Sequence, residues 1–457
     1  MTDRIRTCLV FAIILFLCSW HLDTGPNDNT MSRAAAVASL VDRGTLEITP
    51  VHEVTNDKAI VDGRYYSDKA PLPVLLVWPF HMMMDAMGLA GHTDQGSLGP
   101  ALLRLGGFLC GSLALALIIV LMYRDLRART SSIGLPTGWA ALLPFAGSFL
   151  FVYSGSFNAH LLGALFVLAA WLAFERKQWW LCGLWSGAAV LCEYPLAVFP
   201  IWWALEIGWL VVQKKVDRKA IAWFVAGGGP AVLVLMTMNK VITGNPFTMA
   251  YTHEAHYTFM ARGYGMGLPS WDAFVGLTIS DYRGLLFFMP ALLVALPALA
   301  RAGSNGRTAM PRAALVPVLL CFLVISGYGM WWGGWAYGPR HLTAVATLLM
   351  LFGLRAVLDR RSYRWPLLVV SVVGLAMAFA AKDTVWYSLP TEAHHPLIEV
   401  IWPALRNGSW TTDQWPVMLG LSPAMAALLY LPTFALGLYL LARLDRKPTD
   451  HAPLPHP

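Results

Sequence analysis

The chain is a succession of apolar runs separated by short clusters of arginine and lysine, and each run is close to the roughly 20 residues that cross the hydrocarbon of a bilayer. Lipid offers no water to bond the backbone, so runs of this length must satisfy their own amides as helices. Residues 4–21 form the first run, and 101–122, 136–153, 158–174, 178–194, 196–213, 220–242, 284–300, 313–331, 341–357, 365–381 and 419–442 read as the others. The expected fold is an all-α polytopic membrane protein of about twelve transmembrane helices. Of 457 residues 57% are hydrophobic and 13% charged, which leaves no polar stretch long enough to enclose a separate soluble core. Residues 1–442 therefore read as one transmembrane domain, and 443–457 as a disordered cytoplasmic tail.

The net charge is +7, from 33 basic and 26 acidic residues. Because the basic residues lie between apolar runs, they describe topology, and no nucleic-acid partner is expected. All six cysteines fall in or beside apolar runs, so neither a disulfide framework nor a thiolate metal site is implied.

The segment 71–90 is apolar enough to count as a span, yet it holds three prolines, His81 and Asp85. If it does not cross, Arg124/Arg127/Arg129, Arg176/Lys177, Lys214/Lys215/Arg218/Lys219, Arg301/Arg307/Arg312, Arg360/Arg361/Arg364 and Arg443/Arg446/Lys447 all share the side of the N-terminus. The positive-inside rule is then obeyed at every inner loop. Segment 71–90 is accordingly expected to be an interfacial helix on the outer face. The outer face then carries a large first loop, 22–100, with juxtamembrane helices, and two further loops, 243–283 and 382–418. Within the first, MSRAAAVASLVDRG has helical spacing and stops at Gly44, as a short amphipathic helix does.

That first loop is the most informative. Asp28 follows the first span closely enough to be held at the membrane surface, where a carboxylate can act as general base for a hydroxyl nucleophile. Its bland alternative is a helix-capping or solvated Asp in an NDN turn. Asp57 in TNDK has the same two readings. In DKAIVDGRYYSDKAPLP, the cations Lys58, Arg64 and Lys69 alternate with Tyr65 and Tyr66, a set that suits a lipid-linked phosphate or ordinary headgroups. Arg340 in WWGGWAYGPRH and Arg283 in SDYRGLL each open an apolar run from the same side; an arginine there needs an anion or a water-filled cavity. His160, His341 and Glu193 lie at outer helix ends and are candidate substrate contacts, or hydrogen-bonded structure. No metal-ligand spacing and no phosphate-binding glycine loop is present.

These stretches resemble a known family. A first span, an acidic external loop with a juxtamembrane helix, and a YYSDKAPLP-like segment leading into an interfacial helix are similar to the first external loop of GT-C glycosyltransferases. The bacterial branch related to aminoarabinose-to-lipid-A transferases and protein O-mannosyltransferases is the most similar. NDNTMSRAAAVASLVDRGTL, SGSFNAHLLGAL, SDYRGLLFFMPALL and WWGGWAYGPRHL carry the likeness over most of the chain. The resemblance implies inverting transfer of a sugar from a polyprenyl-phosphate donor to an envelope glycan, lipid or protein acceptor. It implies an inner-membrane enzyme with cytoplasmic termini and an outward-facing active site. Asp28 then takes the base position, with Asp57 as its rival. Lys69 takes the phosphate contact, with Lys58, Arg64, Tyr66, Arg283 and Arg340 as further donor-phosphate candidates. No cofactor is specified, and a divalent metal stays open. The alternative is a flippase of lipid-linked glycans, which should carry charge along a path through mid-membrane.

Overall fold

A computed structural model of the chain describes residues 2–129, 134–261, 263–304 and 310–445. Each expected apolar run is helical. Among the described residues six helices are long and apolar enough to cross a membrane: Pro100–Arg129, Tyr194–Val212, Lys219–Thr243, Arg340–Leu358, Arg361–Lys382 and Pro423–Asp445. The remaining runs form shorter helices, among them Thr137–Ala146, His160–Glu175 and Arg312–Ser326. Twelve is thus a count of apolar runs, of which six reach full spanning length. Proline and glycine account for several shortfalls: the run 136–153 breaks at Gly147, and the run 284–300 breaks at Pro290, before Leu292–Ser304. The last helix extends to Asp445, so residues 443–445 belong to it and not to a disordered tail. Residues 446–457, with Arg307, lie outside the described residues.

Large apolar side chains stand exposed along Tyr194–Val212 and Lys219–Thr243, including Ile201, Leu205, Trp223 and Leu233. Such a surface is stable against lipid and not against water. The two ends of the helical body differ. At one end Arg127 reaches Asp3 at 3.1 Å and Asp445 at 3.6 Å, which gathers the start of the chain, the 124–129 basic cluster and the last helix. Buried Arg355 joins the same end by pairing with Asp125 at 2.8 Å and Glu175 at 2.6 Å. The first loop and the ends of its neighbouring helices build the other.

Helix α1, Asp3–Cys18, leads into that loop. Helix α2, Asp28–Arg43, begins at Asn27, whose side chain accepts the Asn29 amide. It ends where Gly44 turns left-handed, at φ 66°, the αL cap that only glycine adopts without strain. The expected helix is therefore present with its expected stop. It is not a surface helix, however, because ten of its residues, Asn29 to Ser39 apart from Met31, are buried. Strands β1, Lys58–Val61, and β2, Arg64–Ser67, form an antiparallel hairpin across Asp62-Gly63, both at positive φ; Asp-Gly is a favoured two-residue turn of this kind. Helix α3, Leu72–Ala86, follows within 71–90 and buries Val74, Val77 and His81, while Phe80, Met82 and Met83 face outward.

Candidate anion site

The hairpin register builds the centre of the site. Lys58 pairs with Ser67, so the residues just beyond the ladder, Asp57 on one side and Asp68-Lys69 on the other, are brought together. Lys69 Nζ lies 2.8 Å from Asp57 Oδ2 and 3.0 Å from Asp68 Oδ2. Burial opposes a charge on Lys69, yet the two carboxylates outweigh it and hold the ammonium above its ordinary range. Burial, with Asp57 close by, raises the Asp68 carboxyl in turn.

Helix α2 supplies the second element. Its Ser32 hydroxyl meets Ser67 of β2 at 2.7 Å, which fixes α2 against the hairpin. Asp28, in the first turn, accepts the Asn56 amide at 2.7 Å, and its backbone carbonyl accepts the Thr55 hydroxyl at 2.8 Å. Asp28 is therefore part tether, as the capping alternative expected, while it also lines a cavity. One turn on, Arg33 is buried and donates to the Asn29 carbonyl at 2.8 Å. Its Nε has no partner among the described residues.

Two cavities meet here. One, of about 560 Å³, is lined by Asp28, Asp57, Arg340, Trp332, Trp335 and Tyr257 among others. The second, of about 340 Å³, combines Arg33, Asp68, His160 and Glu193 with an apolar wall of Pro195, Met249, Met266 and Ile325. Asn29, Lys69, Tyr251, Tyr328 and His341 belong to both. Lys69 therefore stands on the boundary, with Asp28, Asp57 and Arg340 on the more polar side and Asp68, Glu193 and Arg33 on the more apolar side.

His160 and Glu193 are in direct contact, imidazole Nδ1 to carboxylate, and the His341 ring lies 5.5 Å from that of His160, edge to face. Glycine makes this convergence possible. Gly107 faces the backbone of Gly155 so closely that a Cβ would fall 2.0 Å from its carbonyl oxygen, and the chain leaving Gly155 enters the helix that opens with His160. The stretches 250–261 and 263–266 add to the walls, with Tyr251 in both cavities, Tyr257 and Met260 in the first and Tyr264 and Met266 in the second; Ala255 donates to the Lys58 carbonyl at 2.9 Å, and the Tyr251 and Tyr328 hydroxyls meet at 3.0 Å. Burial and the neighbouring Asp68 push the Glu254 carboxyl up to about 8.

The sequence candidates divide accordingly. Asp28, Asp57, Lys69, Arg340, His160, His341 and Glu193 line the paired cavities. Lys58 turns to the His52 carbonyl at 2.8 Å, Arg64 is exposed beside Glu47 at 3.5 Å, and Tyr66 is buried within the hairpin. Arg283 is buried and spends its guanidinium on the carbonyls of Tyr282, Trp332 and Gly334 at 2.7–3.3 Å, with its head 4.0 Å over the Tyr282 ring. It braces the 332–334 turn, and none of these four residues reaches either cavity. Arg33 and Asp68 line the site without having been singled out by the sequence. A second polar cluster backs it: His21 meets Asp383 at 2.6 Å, and Tyr387 donates to Asp23, whose carboxyl burial pushes up to about 7. Among the described residues no group of three or more His, Cys, Asp or Glu could hold a metal ion.

No protein-family model and no curated protein matches the sequence. Among solved structures, ArnT from Cupriavidus metallidurans in the apo state aligns with a TM-score of 0.51 at 15% identity, covering 96% of this chain and 75% of that one. The same protein bound to undecaprenyl phosphate aligns at 0.47, 15% identity, 96% and 76%. The Archaeoglobus fulgidus oligosaccharyltransferase in its apo form aligns at 0.44, 13% identity, 96% and 56%. The chain shares the fold of that ArnT structure in its apo state.

Proposed function

We propose that the chain is an inverting glycosyltransferase that moves a sugar from a polyprenyl-phosphate donor to a hydroxyl of an envelope glycan, lipid or protein. The observation that carries this reading is the boundary position of Lys69, between a polar cavity with Asp28, Asp57 and Arg340 and a more apolar cavity with Asp68, Glu193 and Arg33, each arginine having an Nε without a partner among the described residues. The apolar chamber suits the lipid-linked sugar, with His160, His341 and Glu193 as its sugar contacts. The polar cavity suits an acceptor arriving from water.

In the proposed reaction Asp28 takes the proton from the acceptor hydroxyl, whose oxygen attacks the anomeric carbon as the bond to the phosphate oxygen breaks. The pair of electrons leaves with the phosphate, and Lys69, Arg33 and Arg340 neutralise it. Asp28 is preferred over Asp57 because the Asp57 carboxylate is already engaged by the Lys69 ammonium at 2.8 Å, whereas Asp28 faces the polar cavity without a cation on it among the described residues. Asp57 and Asp68 together hold Lys69 in place. The gathering of basic clusters with the start of the chain at the opposite end supports a site on the outer face of the inner membrane with both termini cytoplasmic. Helix α3, whose outward side is apolar, then lies in the outer interface.

The test works whichever sugar the donor carries. A deletion strain should accumulate a polyprenyl-phosphate sugar and lose one glycan modification, and the wild-type gene should restore it. Asp28→Asn removes basicity at nearly constant shape and should lower transfer about 10²–10⁴-fold with donor binding retained. An active Asp28→Asn beside an inactive, donor-binding Asp57→Asn moves the base to Asp57. Full activity in both sinks the mechanism.

A further inference from the structure

At the opposite end of the molecule from the site, a third cavity of about 660 Å³ opens between the helices Leu292–Ser304 and Arg361–Lys382. Its floor is Leu293, Val294, Pro297, Ala300 and Pro366, and Arg301, Ser362 and Tyr363 stand at its mouth. Arg301 bonds the Tyr363 hydroxyl and lies 5.9 Å from that ring, so the cation is fixed at the edge of the groove. Arg360 donates to the Arg301 carbonyl at 3.3 Å and Arg364 to the Leu358 carbonyl at 2.6 Å, which packs a guanidinium cluster, with exposed Arg361, into one turn. Asp359 is the acid of the turn 359–364, against Arg360, Arg361 and Arg364, and Arg301 joins them from the neighbouring helix.

The apolar floor is continuous with surface that lipid covers. Leu293 is exposed at its edge, and Val369, Val372 and Val373 stand exposed further along the same helix, beyond Pro366. Trp365 is 66% exposed beside the mouth, where an indole marks the level of the membrane–water boundary. The groove thus has an acyl-sized apolar slot running toward the hydrocarbon and a cluster of fixed cations at headgroup height. Water would solvate the arginines but leave the slot unfilled, and a soluble anion would use the arginines without the slot. A basic pocket between helices at an interface is the form that recognises an acidic lipid headgroup.

We propose that this groove is a binding site for an anionic glycerophospholipid of the inner leaflet, its phosphate held by Arg301 and Arg361 and one acyl chain lying over Val294, Pro297 and Ala300. The site is separate from the sugar-transfer site and does not depend on that reading.

Retention of dioleoylphosphatidylglycerol by the purified full-length protein, measured by native mass spectrometry with dioleoylphosphatidylcholine as the neutral comparison, tests the proposal. Wild type should retain the anionic lipid selectively. The double variant Arg301→Gln/Arg361→Gln should lower retention about tenfold, and Ala300→Trp, which fills the slot with every charge in place, should lower it comparably. Lys214→Gln/Lys215→Gln removes the same charge from an exposed cluster with no groove, and should leave retention near wild type. An unchanged Ala300→Trp variant, an equal loss in the Lys214/Lys215 control, or equal retention of the two lipids by wild type each overturns the site and leaves only a generally basic surface. The slot-filling variant keeps the arginine hydrogen bonds, so it stays informative if the double variant proves unstable.

Discussion

Arg355 and Arg33 are both arginines buried inside a helical membrane protein, and their surroundings are opposite. Arg355 sits between Asp125 and Glu175 with four donor contacts of 2.6–2.8 Å, so its charge is answered within the chain. Arg33 has the Asn29 carbonyl and side chain, an Nε without a partner among the described residues, and a cavity in front of it. Arg340 repeats the second pattern, with an unpartnered Nε beside the neighbouring cavity. A buried charge that is fully paired belongs to the structure, whereas one left short of partners beside open space is waiting for a ligand. Arg355 therefore holds helices together, and Arg33 and Arg340 are placed for an anion.

The largest expected effect that would break this contrast lies at Arg355. Arg355→Met leaves Glu175 without its cation and Asp125 with Arg129 alone, at 3.0 Å, and loss of one partner of a buried pair costs up to about 3–5 kcal/mol. Thermal unfolding in detergent should show that loss, while the surviving folded protein keeps its donor affinity. A stable Arg355→Met variant with impaired donor binding would transfer the functional role to Arg355 and undo the comparison.

At Arg33 and Arg340 the order reverses. Arg340→Ala and Arg33→Ala should each remove a charge-assisted contact to donor phosphate, about 1.5–3 kcal/mol of binding, with a small change in unfolding temperature. Donor titration against the folded variants measures it. Unchanged affinity in both would reduce the cations to headgroup anchors.

Part of this contrast was legible in the sequence and part was not. Helix α2, its Gly44 stop and the cavity residues Lys69 and Arg340 were readable because local chemistry marks them: a left-handed cap, a proline after a lysine, an arginine at the mouth of an apolar run. Arg33 was hidden because an amphipathic pattern assigns a polar residue to the solvent face, and α2 has almost no solvent face. Asp68 was hidden because only strand register carries it to Asp57; the signal that would have found it is Asp62-Gly63 between KAIV and RYYS. Arg283 misled for the converse reason, since a sequence does not show that three backbone carbonyls already satisfy it. Helix lengths were not legible, because hydropathy does not register where Gly147 or Pro290 interrupts an apolar run.

The acids offer a finer test. Asp125 is paired with Arg355, whereas Glu254 is pushed up to about 8, burial first and then Asp68. Its Oε1 accepts the amides of His256 and Tyr257 at 3.1 and 3.3 Å, and its carboxyl is hydrogen-bonded to that of Asp68, a contact between two acids that requires a proton on one of them. For an acid raised from its ordinary 4.5 to about 8, the contribution to the docked state is complete below the lower value and declines as pH rises toward the upper one. Hydrogen exchange of 250–258 should therefore quicken across that window, and Glu254→Gln should flatten the dependence. An equal pH dependence in that variant would place the titrating group elsewhere.

The smallest expected effect is the control that sharpens all the others. Arg64 follows directly on the Asp62-Gly63 turn, in the same tyrosine-rich segment as Lys69, and by sequence both were candidates for the phosphate, Lys69 on the resemblance and Arg64 as a further one. The hairpin separates them, because Lys69 lies beyond the far end of β2 and is buried against two carboxylates, whereas Arg64 starts β2 at the turn with its side chain 65% exposed. Its one ion pair, to Glu47 at 3.5 Å, is of the exposed kind whose worth is usually below about 1 kcal/mol. Arg64→Ala should therefore leave donor affinity and unfolding temperature within error of wild type, while Lys69→Ala loses donor binding. If Arg64→Ala weakens donor binding as much as Arg340→Ala does, then position on the loop matters and burial beside a cavity does not. The rule that separates Arg355 from Arg33 would then fail on its own hairpin.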